Sequence, residues 1–293
     1  MQEELDELNR LFTSKNVDDV IKFYDHFDTA EQLIQWMKNR PSAPMKIYEV
    51  GGYKDIVVVI PTANHDGEYA KNCADNIFKG QQIVFVESNG PFFNYARSCN
   101  FGLKYALKYK PRWVVLSNDD IIKLDEMTKF KNKLAFIKAD LVFPSCTNSG
   151  HFFASYLVKP RFTLSLLYKL KGGIYKLLNK LYQKYQVKYF GLAYYRKFIN
   201  KFLYKKISKL PGNSAFIIFS NGFLNSTDAA LDETCINSSE DLLLSIKHKD
   251  SKLEQVNFNI SDAVGGSLGS SPARIIKDLN GIIYFNHSLS KLK

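Results

Sequence analysis

The chain has 293 residues, of which 45% are hydrophobic and 24% are charged. A chain of this length and composition can bury a sizeable core, which excludes an intrinsically disordered protein. Its formal net charge of +11 would indicate a nucleic-acid-binding protein if the charge were spread along the chain.

The excess positive charge is instead confined to one segment. Between Lys159 and Lys209 there are twelve Lys and two Arg and no Asp or Glu, so this segment carries +14 and the remaining residues together carry −3. The basicity therefore requires a local explanation and does not characterise the whole surface.

The sequence carries no export or membrane-spanning pattern. Its first ten residues are acidic and polar, unlike a signal peptide, and no apolar run approaches the ~18–20 residues that a membrane span needs. The cysteines are far apart and form no C-x-x-C pair, which indicates free thiols in a reducing compartment. They are Cys73, Cys99, Cys146 and Cys235. We therefore expect a cytoplasmic location.

Residues 1–50 are predicted to form a helical N-terminal appendage. Apolar residues recur at helical spacing in two stretches before residue 40, which predicts two helices. Thr29 followed by Gln32 has the pattern of a capping box that opens the second of them. Pro41 and Pro44 then predict a break.

Residues 51–158 are predicted to form a parallel α/β sheet. Short apolar runs rich in β-branched residues predict strands buried on both faces, and a helix is predicted from Tyr95 to Tyr109. The strands are expected at DIVVVIPT, QQIVFVESNG, RWVVLSNDD and LVFPSC. Alternating strands and helices indicate a Rossmann-like, mostly parallel sheet flanked by helices.

Polar residues stand where three of these strands end. In a parallel sheet the ligand site lies beyond the carboxyl ends of the strands, so these residues are expected to converge on one crevice. They are Thr62, Asn64, Glu87, Asn89, Asn118, Asp119 and Asp120. Adjacent carboxylates such as Asp119 and Asp120 persist readily when a metal ion lies between them and a ligand. A solvated turn is the alternative.

Residues 211–293 are predicted to form a second half. NSAFIIFSNGFL predicts a strand and a turn, and Glu240-Asp241 opens a predicted helix that ends near Lys247. Ser238 is a plausible N-cap, which would put Asp241 at the third helical position. Acids in a first turn favour the helix dipole, so these two carboxylates have a structural explanation besides any catalytic one.

Six short motifs follow one another along the chain: IVVVIPTAN, IVFVESNG, NYARSCNFGLKYA, VVLSNDDI, ALDE with SSEDLLLSIK, and ISDAVGGSLGSS. In this order they resemble the motifs of glycosyltransferase family 2, and most closely its rhamnosyl- and galactofuranosyl-transferase-like group. The resemblance covers about residues 55–158 and 211–272. It implies the GT-A fold and an inverting transferase of the hexosyltransferase type, with a donor-binding half at 51–158 and an acceptor-binding half at 211–293.

The chain departs from the family pattern at three positions. Asn94 stands where the family usually has Gly, and Glu87 stands where it usually has Asp. The family His of the last motif is absent, and Asp262 lies nearby. A carboxylate at this place could still bind Mg²⁺ or Mn²⁺, since hard cations prefer oxygen ligands.

The resemblance implies roles for the polar residues at the strand ends. The donor would be a UDP-, dTDP- or GDP-sugar, and Mn²⁺ or Mg²⁺ would stabilise its departing diphosphate. The expected metal ligands are Asp120 and Asp262. Asn118 and Asp119 would contact ribose, or the metal through water. The base and ribose would lie against Pro61, Thr62, Asn64, Glu87 and Asn89, and Arg97 is expected either to reach a phosphate or to face solvent.

The acceptor hydroxyl needs a general base on the opposite side of the anomeric carbon. The resemblance makes Asp241 the first candidate and Glu240 the second. A carboxylate near a helix N-terminus is favoured in its ionised form, which is the form that accepts a proton. The acceptor would be a glycan or a lipid-linked molecule.

Residues 159–210 are predicted to form a basic helical insertion. Apolar and aromatic residues fall on one face of its predicted helices and Lys on the other, which suits peripheral contact with an anionic membrane face. Packing of the apolar stripes on the core is the alternative. Nucleic acid is the least favoured partner, because no known binding module accompanies the charge.

Two other functions fit parts of the sequence. A sugar-nucleotidyltransferase-like enzyme would have a similar sheet, but it usually has a Gly-rich loop after the first strand, where this chain has PTANHDG. A non-catalytic protein that binds membrane or nucleic acid through residues 159–210 would also carry the basic segment. The presence of Asp120 and Asp241 favours the enzyme.

Overall fold

A mixed sheet of seven strands lies at the centre of the fold, in the order β1-β3-β2-β4-β7-β6-β8. The structure is a computed structural model that describes residues 2–144, 216–236, 239–248, 251–262 and 279–291, together with Ala273 and Lys277. The strands are β1 (Lys46–Val50), β2 (Tyr53–Thr62), β3 (Gln81–Glu87), β4 (Trp113–Ser117), β6 (Leu141–Pro144), β7 (Phe216–Ser220) and β8 (Leu253–Val256). A separate pair consists of β5 (Ile121–Lys123) and β9 (Ser261–Asp262).

Helices cover the sheet and form an N-terminal region. They are α1 (Gln2–Thr13), α2 (Val17–Asp25), α3 (Ala30–Asn39), α4 (Glu68–Asn72), α5 (Tyr95–Ala106), α6 (Met127–Ala135), α7 (Asn221–Asn225), α8 (Glu240–Lys247) and α9 (Leu279–Lys291). None of the helices in the described part of the chain has the length and apolar character that crossing a membrane requires.

The predicted parallel arrangement of the central strands is confirmed. β2 pairs in parallel with β3 on one side and with β4 on the other. Val57 and Val59 pack against the α5 side of the sheet, while Ile56, Val58 and Ile60 pack against the α4 and α6 side. Burial on both faces explains why this strand is a continuous apolar run.

Two strands run against the others. β7 is antiparallel to β4 and β6, and β1 is antiparallel to β3. Because β1 belongs to the main sheet, the chain enters that sheet within the predicted appendage of residues 1–50. Its sequence, KIYEV, has neither a continuous apolar run nor a regular alternation, and it has only five residues, so it was not predicted.

The N-terminal region has three helices where the sequence predicted two. The missed break lies between α1 and α2, where Asn16 is the N-cap and its side chain accepts a hydrogen bond from the backbone N–H of Asp18. Asn is a preferred N-cap residue, so this position carried the signal for a new helix. The predicted capping box between Thr29 and Gln32 is confirmed at the start of α3.

These helices share one hydrophobic core with the C-terminal part of the chain. Phe12, Phe23 and Trp36 pack edge to face, with ring centroids 4.6–5.3 Å apart. Leu243 of α8 and Phe285 of α9 belong to the same cluster. The N-terminal region therefore packs against the predicted acceptor half through a shared hydrophobic core.

Helix α5 lies unusually close to the sheet. A Cβ atom added at Gly102 would lie 2.5 Å from Val59 and 2.6 Å from Val86, so no larger residue fits there without moving the helix. This contact fixes the height of α5 above β2 and β3. The position of Tyr95 and Asn94 at the start of α5 follows from it.

The second half differs from the sequence expectation at two points. The predicted turn after β7 is the short helix α7, with the Ser220 side chain accepting from the N–H of Phe223. Helix α8 begins at Glu240, so Asp241 is its second residue and not its third, and Ser239 precedes it with φ 73°. The predicted N-cap, Ser238, lies outside the described residues.

The predicted basic insertion at 159–210 also lies outside the described residues. The strands on either side of it, β6 and β7, leave and re-enter the sheet at the carboxyl-end edge of β2 and β4. Three of the cysteines, Cys73, Cys99 and Cys235, are buried free thiols.

Candidate functional site

The carboxyl ends of β2, β3 and β4 meet at one edge of the sheet, where the crevice was predicted. Thr62 is paired with Glu87 in register. The Oγ1 atom of Thr62 donates a hydrogen bond to Oδ2 of Asp119 at 2.7 Å, and both side chains are buried. The structure therefore joins the end of β2 to the acidic segment after β4.

The two adjacent carboxylates are buried and do not form a solvated turn. Asp119 and Asp120 are 8% and 7% exposed. Their charges act on Cys73, whose thiol lies 3.1 Å from the Asp119 carbonyl oxygen. Burial, and after it the charges of Asp119 and Asp120, raise the pKa of Cys73 to about 12, so this thiol stays protonated.

Asp262 is brought to the same place by the small strand pair. β5 follows Asp120 directly and pairs with β9, with Asp262 opposite Ile121. The backbone of Asp262 thus lies across from the residue next to Asp120. Over the described ranges, no group of three or more His, Cys, Asp or Glu side chains is placed to hold a metal ion.

The residues present nevertheless fit a cation that is shared with a diphosphate. Mg²⁺ is usually bound through one or two protein carboxylates, with substrate phosphates and water completing its shell. Asp120 after β4 is a buried carboxylate of this kind, and the backbone of Asp262 lies opposite Ile121, the residue after Asp120. An all-protein cage is neither present in the described part nor required for this kind of binding.

Helix α8 brings the second pair of acids against the same region. Glu240 and Asp241 are 3% and 4% exposed. Tyr95 at the start of α5 donates from its hydroxyl to Oδ1 of Asn118 at 2.8 Å. Burial raises the pKa of Tyr95, and the charges of Cys99, Glu240 and Asp241 raise it further. Tyr95 therefore contacts the residue before Asp119 and is close enough to Glu240 and Asp241 for their charges to act on it.

Two asparagines of α5 hold the segment that leads to α8. Asn94 donates to the carbonyl of Glu233 at 2.9 Å, and its Oδ1 accepts from the N–H of Arg97. Asn100 donates to the carbonyl of Leu231 at 2.8 Å and accepts from its N–H at 2.9 Å. Asn94 thus has a structural role that the sequence did not indicate.

Glu87 is held by a histidine that the sequence analysis missed. His65 contacts Oε2 of Glu87 through its ring Nδ1 at 2.6 Å and donates to it from its backbone N–H at 3.1 Å. The His65 ring stacks on Tyr48 of β1, with centroids 3.4 Å apart and planes 8° apart. The hydrogen bonds from His65 lower the pKa of Glu87.

Arg97 is engaged in structural contacts, which neither of the two expectations foresaw. Its Nη1 donates to the carbonyl oxygens of Arg40 and Pro41 at 2.8 and 2.9 Å and to Oγ of Ser42 at 2.9 Å. Its Nε lies 3.8 Å from Oε2 of Glu233. The side chain fastens the chain before β1 to α5, so the predicted phosphate contact has no support in these contacts.

The other predicted donor residues lie around the same edge. Asn64 is exposed, accepts from the N–H of Asp66, and donates its own N–H to Oγ1 of Thr62. Asn89 is exposed and donates to the carbonyl of Ala63 at 3.3 Å. Pro61 is buried inside β2 opposite Val86, so it shapes the strand end from within the sheet.

The pairing of Glu87 with His65 predicts an acid-sensitive contribution to stability. Because the pKa of Glu87 is lowered in the folded state from 4.5, the contribution is present above that pH and is lost as pH falls through the folded value. The free-energy difference of unfolding between wild type and Glu87→Gln should be under about 1 kcal/mol near pH 5 and should shrink as the pH falls through the folded-state pKa of Glu87.

Urea unfolding at a series of pH values measures this difference. The exposed Glu254 on β8 provides a control, and Glu254→Gln should follow the wild-type curve. A difference for Glu87→Gln that stays constant across the series would contradict the proposed pairing.

Comparisons of the chain with protein-family models, with curated proteins and with solved structures find no match.

Proposed function

We propose that this chain is a metal-dependent inverting glycosyltransferase with the GT-A fold. It would move a sugar from a nucleoside-diphosphate donor to a glycan or lipid-linked acceptor. The motif resemblance to glycosyltransferase family 2 suggests this reaction. The observation that carries it is a pair of contacts made by Tyr95. Its hydroxyl donates to Asn118, beside the buried Asp119 and Asp120, and its N–H donates to the carbonyl of Ile236, four residues before the buried Glu240.

The two acidic pairs would supply the two kinds of acid that the reaction needs, a metal-binding carboxylate and a general base. Asn118, Asp119 and Asp120 follow β4, whereas Glu240 and Asp241 open α8, more than a hundred residues later. The burial of all four carboxylates makes a solvated turn or an ordinary exposed helix start a poor explanation for them. Buried acids gathered at strand ends are typical of a functional site.

The donor would lie along the strand ends. Thr62, Asn64, Glu87 and Asn89 would hold the base and ribose, with Asn118 and Asp119 near the ribose. Asp120 and Asp262 would hold Mn²⁺ or Mg²⁺, which when bound stabilises the negative charge of the departing diphosphate. The Thr62–Asp119 hydrogen bond orients one carboxylate before any ligand arrives.

Asp241 would act on the acceptor. The acceptor oxygen attacks the anomeric carbon as the bond from that carbon to the diphosphate oxygen breaks, and the configuration inverts. The proton of the acceptor hydroxyl passes to the Asp241 carboxylate. Glu240 is the second candidate for this role, since it is the neighbouring buried acid in the same turn.

We also propose a location for the chain, at the inner face of the membrane. A cytoplasmic enzyme, bound peripherally to the inner membrane face through residues 159–210, would reach a lipid-linked acceptor. The end of β6 and the start of β7 support this location. Both lie at the edge of the sheet that carries the site, so the segment between these strands is connected to the sheet at that edge.

Product stereochemistry tests the reaction without knowledge of the acceptor. The protein is incubated with Mn²⁺ and α-linked UDP-, dTDP- and GDP-sugars, and the anomeric protons are followed by NMR. We expect one donor to be hydrolysed slowly, with the β-anomer of the free sugar appearing first, and Asp120→Asn to stop this. First appearance of the α-anomer would contradict inversion, and release of monophosphate would favour a nucleotidyltransferase-like enzyme.

A further inference from the structure

The edge of the sheet opposite the candidate site carries two exposed aromatic side chains. Phe136, directly after α6, is 88% exposed, and Tyr53 at the start of β2 is 53% exposed. A phenyl ring that stands almost entirely in water has no packing role in the fold. Exposed apolar groups of this kind mark interaction sites when they are grouped with others.

Contacts between their neighbours place the two rings on one surface. The Nζ atom of Lys131 on α6 lies 4.2 Å from the centroid of the Tyr53 ring. Arg112 donates from Nη2 to the carbonyl of Ala135 at 2.9 Å, which is the residue before Phe136. The Arg112 N–H also donates to the carbonyl of Asp55 on β2 at 2.8 Å. We name the surface of Tyr53, Arg112, Lys131 and Phe136 the aromatic edge.

The aromatic edge is surrounded by positive charge. Arg112, Lys108 and Lys110 are exposed, and Lys131 is partly exposed. The lysines that flank the edge are Lys54, Lys110 and Lys138. The described acids at this end of the sheet include Asp55, Asp140 and Glu49. Oδ2 of Asp140 already accepts from the N–H of Lys252, and Glu49 is paired with Lys108 at 2.5 Å. The surface therefore complements an anionic partner.

We propose that the aromatic edge docks on an anionic lipid surface. Phe136 would enter the boundary between headgroups and acyl chains, where its apolar area leaves water. Lys131 and Arg112 would lie at headgroup level, since their long stems keep the charge near water while the ring inserts. Tyr53 has the apolar ring and polar tip that suit the same interface.

Protrusion favours lipid over nucleic acid or a protein groove. Rings that stack on bases line a groove that tracks the strand, and protein hot spots are enclosed by a rim of contacts. A side chain that is 88% exposed projects from the surface instead of lining a pocket. It fits a partner that can close around it, which a bilayer does.

This docking is independent of the proposed reaction. β2 has ten residues, so the aromatic edge and the strand-end crevice are separated by roughly 30 Å. A membrane against the aromatic edge would leave the strand ends facing away from it, so this orientation is an alternative to the one in which residues 159–210 hold the site edge at the membrane. The aromatic edge is also distinct from residues 159–210. An experiment must therefore distinguish membrane binding by the aromatic edge from membrane binding by residues 159–210.

A tryptophan placed at position 136 reports on this surface alone. Both native tryptophans, Trp36 and Trp113, are buried. Phe136→Trp in the full chain is mixed with vesicles of phosphatidylcholine, with and without phosphatidylserine, some carrying brominated acyl chains. We expect a blue shift and quenching by brominated lipid with the anionic vesicles. Phe101→Trp on α5, where the native ring is 41% exposed, is the matched control and should not respond.

Binding constants from the same titration test the chemistry. Replacing Lys131 in the Phe136→Trp protein by Gln should weaken binding about fivefold, which corresponds to about 1 kcal/mol for one cation at an anionic surface. Phe136→Ser removes the ring and carries no reporter at position 136, so it is compared with wild type by vesicle sedimentation, where it should bind at least about tenfold more weakly. Vesicle binding without quenching at position 136, or equal quenching at position 101, would overturn the proposal. So would a response at position 136 to a single-stranded oligonucleotide but not to vesicles.

Discussion

Asp241→Asn is expected to lower the rate of sugar transfer or donor hydrolysis by about 10²–10⁴-fold, the usual contribution of a general base. The amide keeps the size and most hydrogen-bonding capacity of the carboxylate but cannot accept the proton. Donor binding should persist, because Asp241 belongs to α8 and the donor residues belong to the strand ends. Initial rates at saturating donor measure the first effect, and thermal stabilisation by the diphosphate measures the second.

Two further variants make the assignment specific. Asp140→Asn changes a carboxylate at the opposite edge of the sheet, where Oδ2 accepts from the N–H of Lys252, and it should leave the rate unchanged. Glu240→Gln should have the smaller effect of the two α8 variants. A larger loss for Glu240→Gln would move the base to Glu240, and full activity of both would remove α8 from the chemistry.

Arg40→Met is expected to lower the free energy of unfolding by about 2–4 kcal/mol. Arg40 is buried, and it donates to Oδ1 of Asn9 at 3.0 Å, to the carbonyl of Phe93 at 2.9 Å and to the carbonyl of Pro91. Burial, and after it the charge of Arg97, lowers the pKa of Arg40 to about 10, so the cation persists at neutral pH. Methionine would remove the donor from the buried Asn9 side chain and from the partly buried carbonyls of Pro91 and Phe93.

Urea unfolding measures this loss, and Arg10→Met is its control. Arg10 pairs with Glu7 on the exposed face of α1, and no change is expected there. Because Pro91 and Phe93 precede α5, Arg40→Met should also weaken donor binding. Unfolding of Arg40→Met at the wild-type urea midpoint would contradict a close connection between the N-terminal helices and the site.

The central strands could be predicted because strands that are buried on both faces have continuous runs of apolar residues. β2 faces helices on both sides, so nearly every position from Ile56 to Ile60 must be apolar. The edge strand β1 has one neighbouring strand and only five residues without a regular apolar pattern, so it does not stand out in the sequence. The break at Asn16 shows the same limit, since one polar residue decides it.

The acids of the site were predicted from order along the chain, but their partners were not. Tyr95 contacts Asn118 and His65 contacts Glu87 only after the strands have paired, and neither pair has a local sequence pattern. Arg97 was expected at a phosphate or in solvent, and its partners are backbone carbonyls more than fifty residues earlier. Such contacts depend on the distance between α5 and the sheet. The hydrophobic periodicity of the sequence does not predict that distance.

The central claim is that the strand ends hold a nucleoside diphosphate together with a divalent cation. Thermal unfolding of wild type and Asp120→Asn is measured with UDP, dTDP and GDP, each with and without Mn²⁺. A ligand that binds only the folded chain raises its melting temperature. The account predicts that one diphosphate stabilises the wild type, that this requires Mn²⁺, and that Asp120→Asn abolishes it. Stabilisation by none of the three, or an equal Mn²⁺-dependent shift in both proteins, would contradict it.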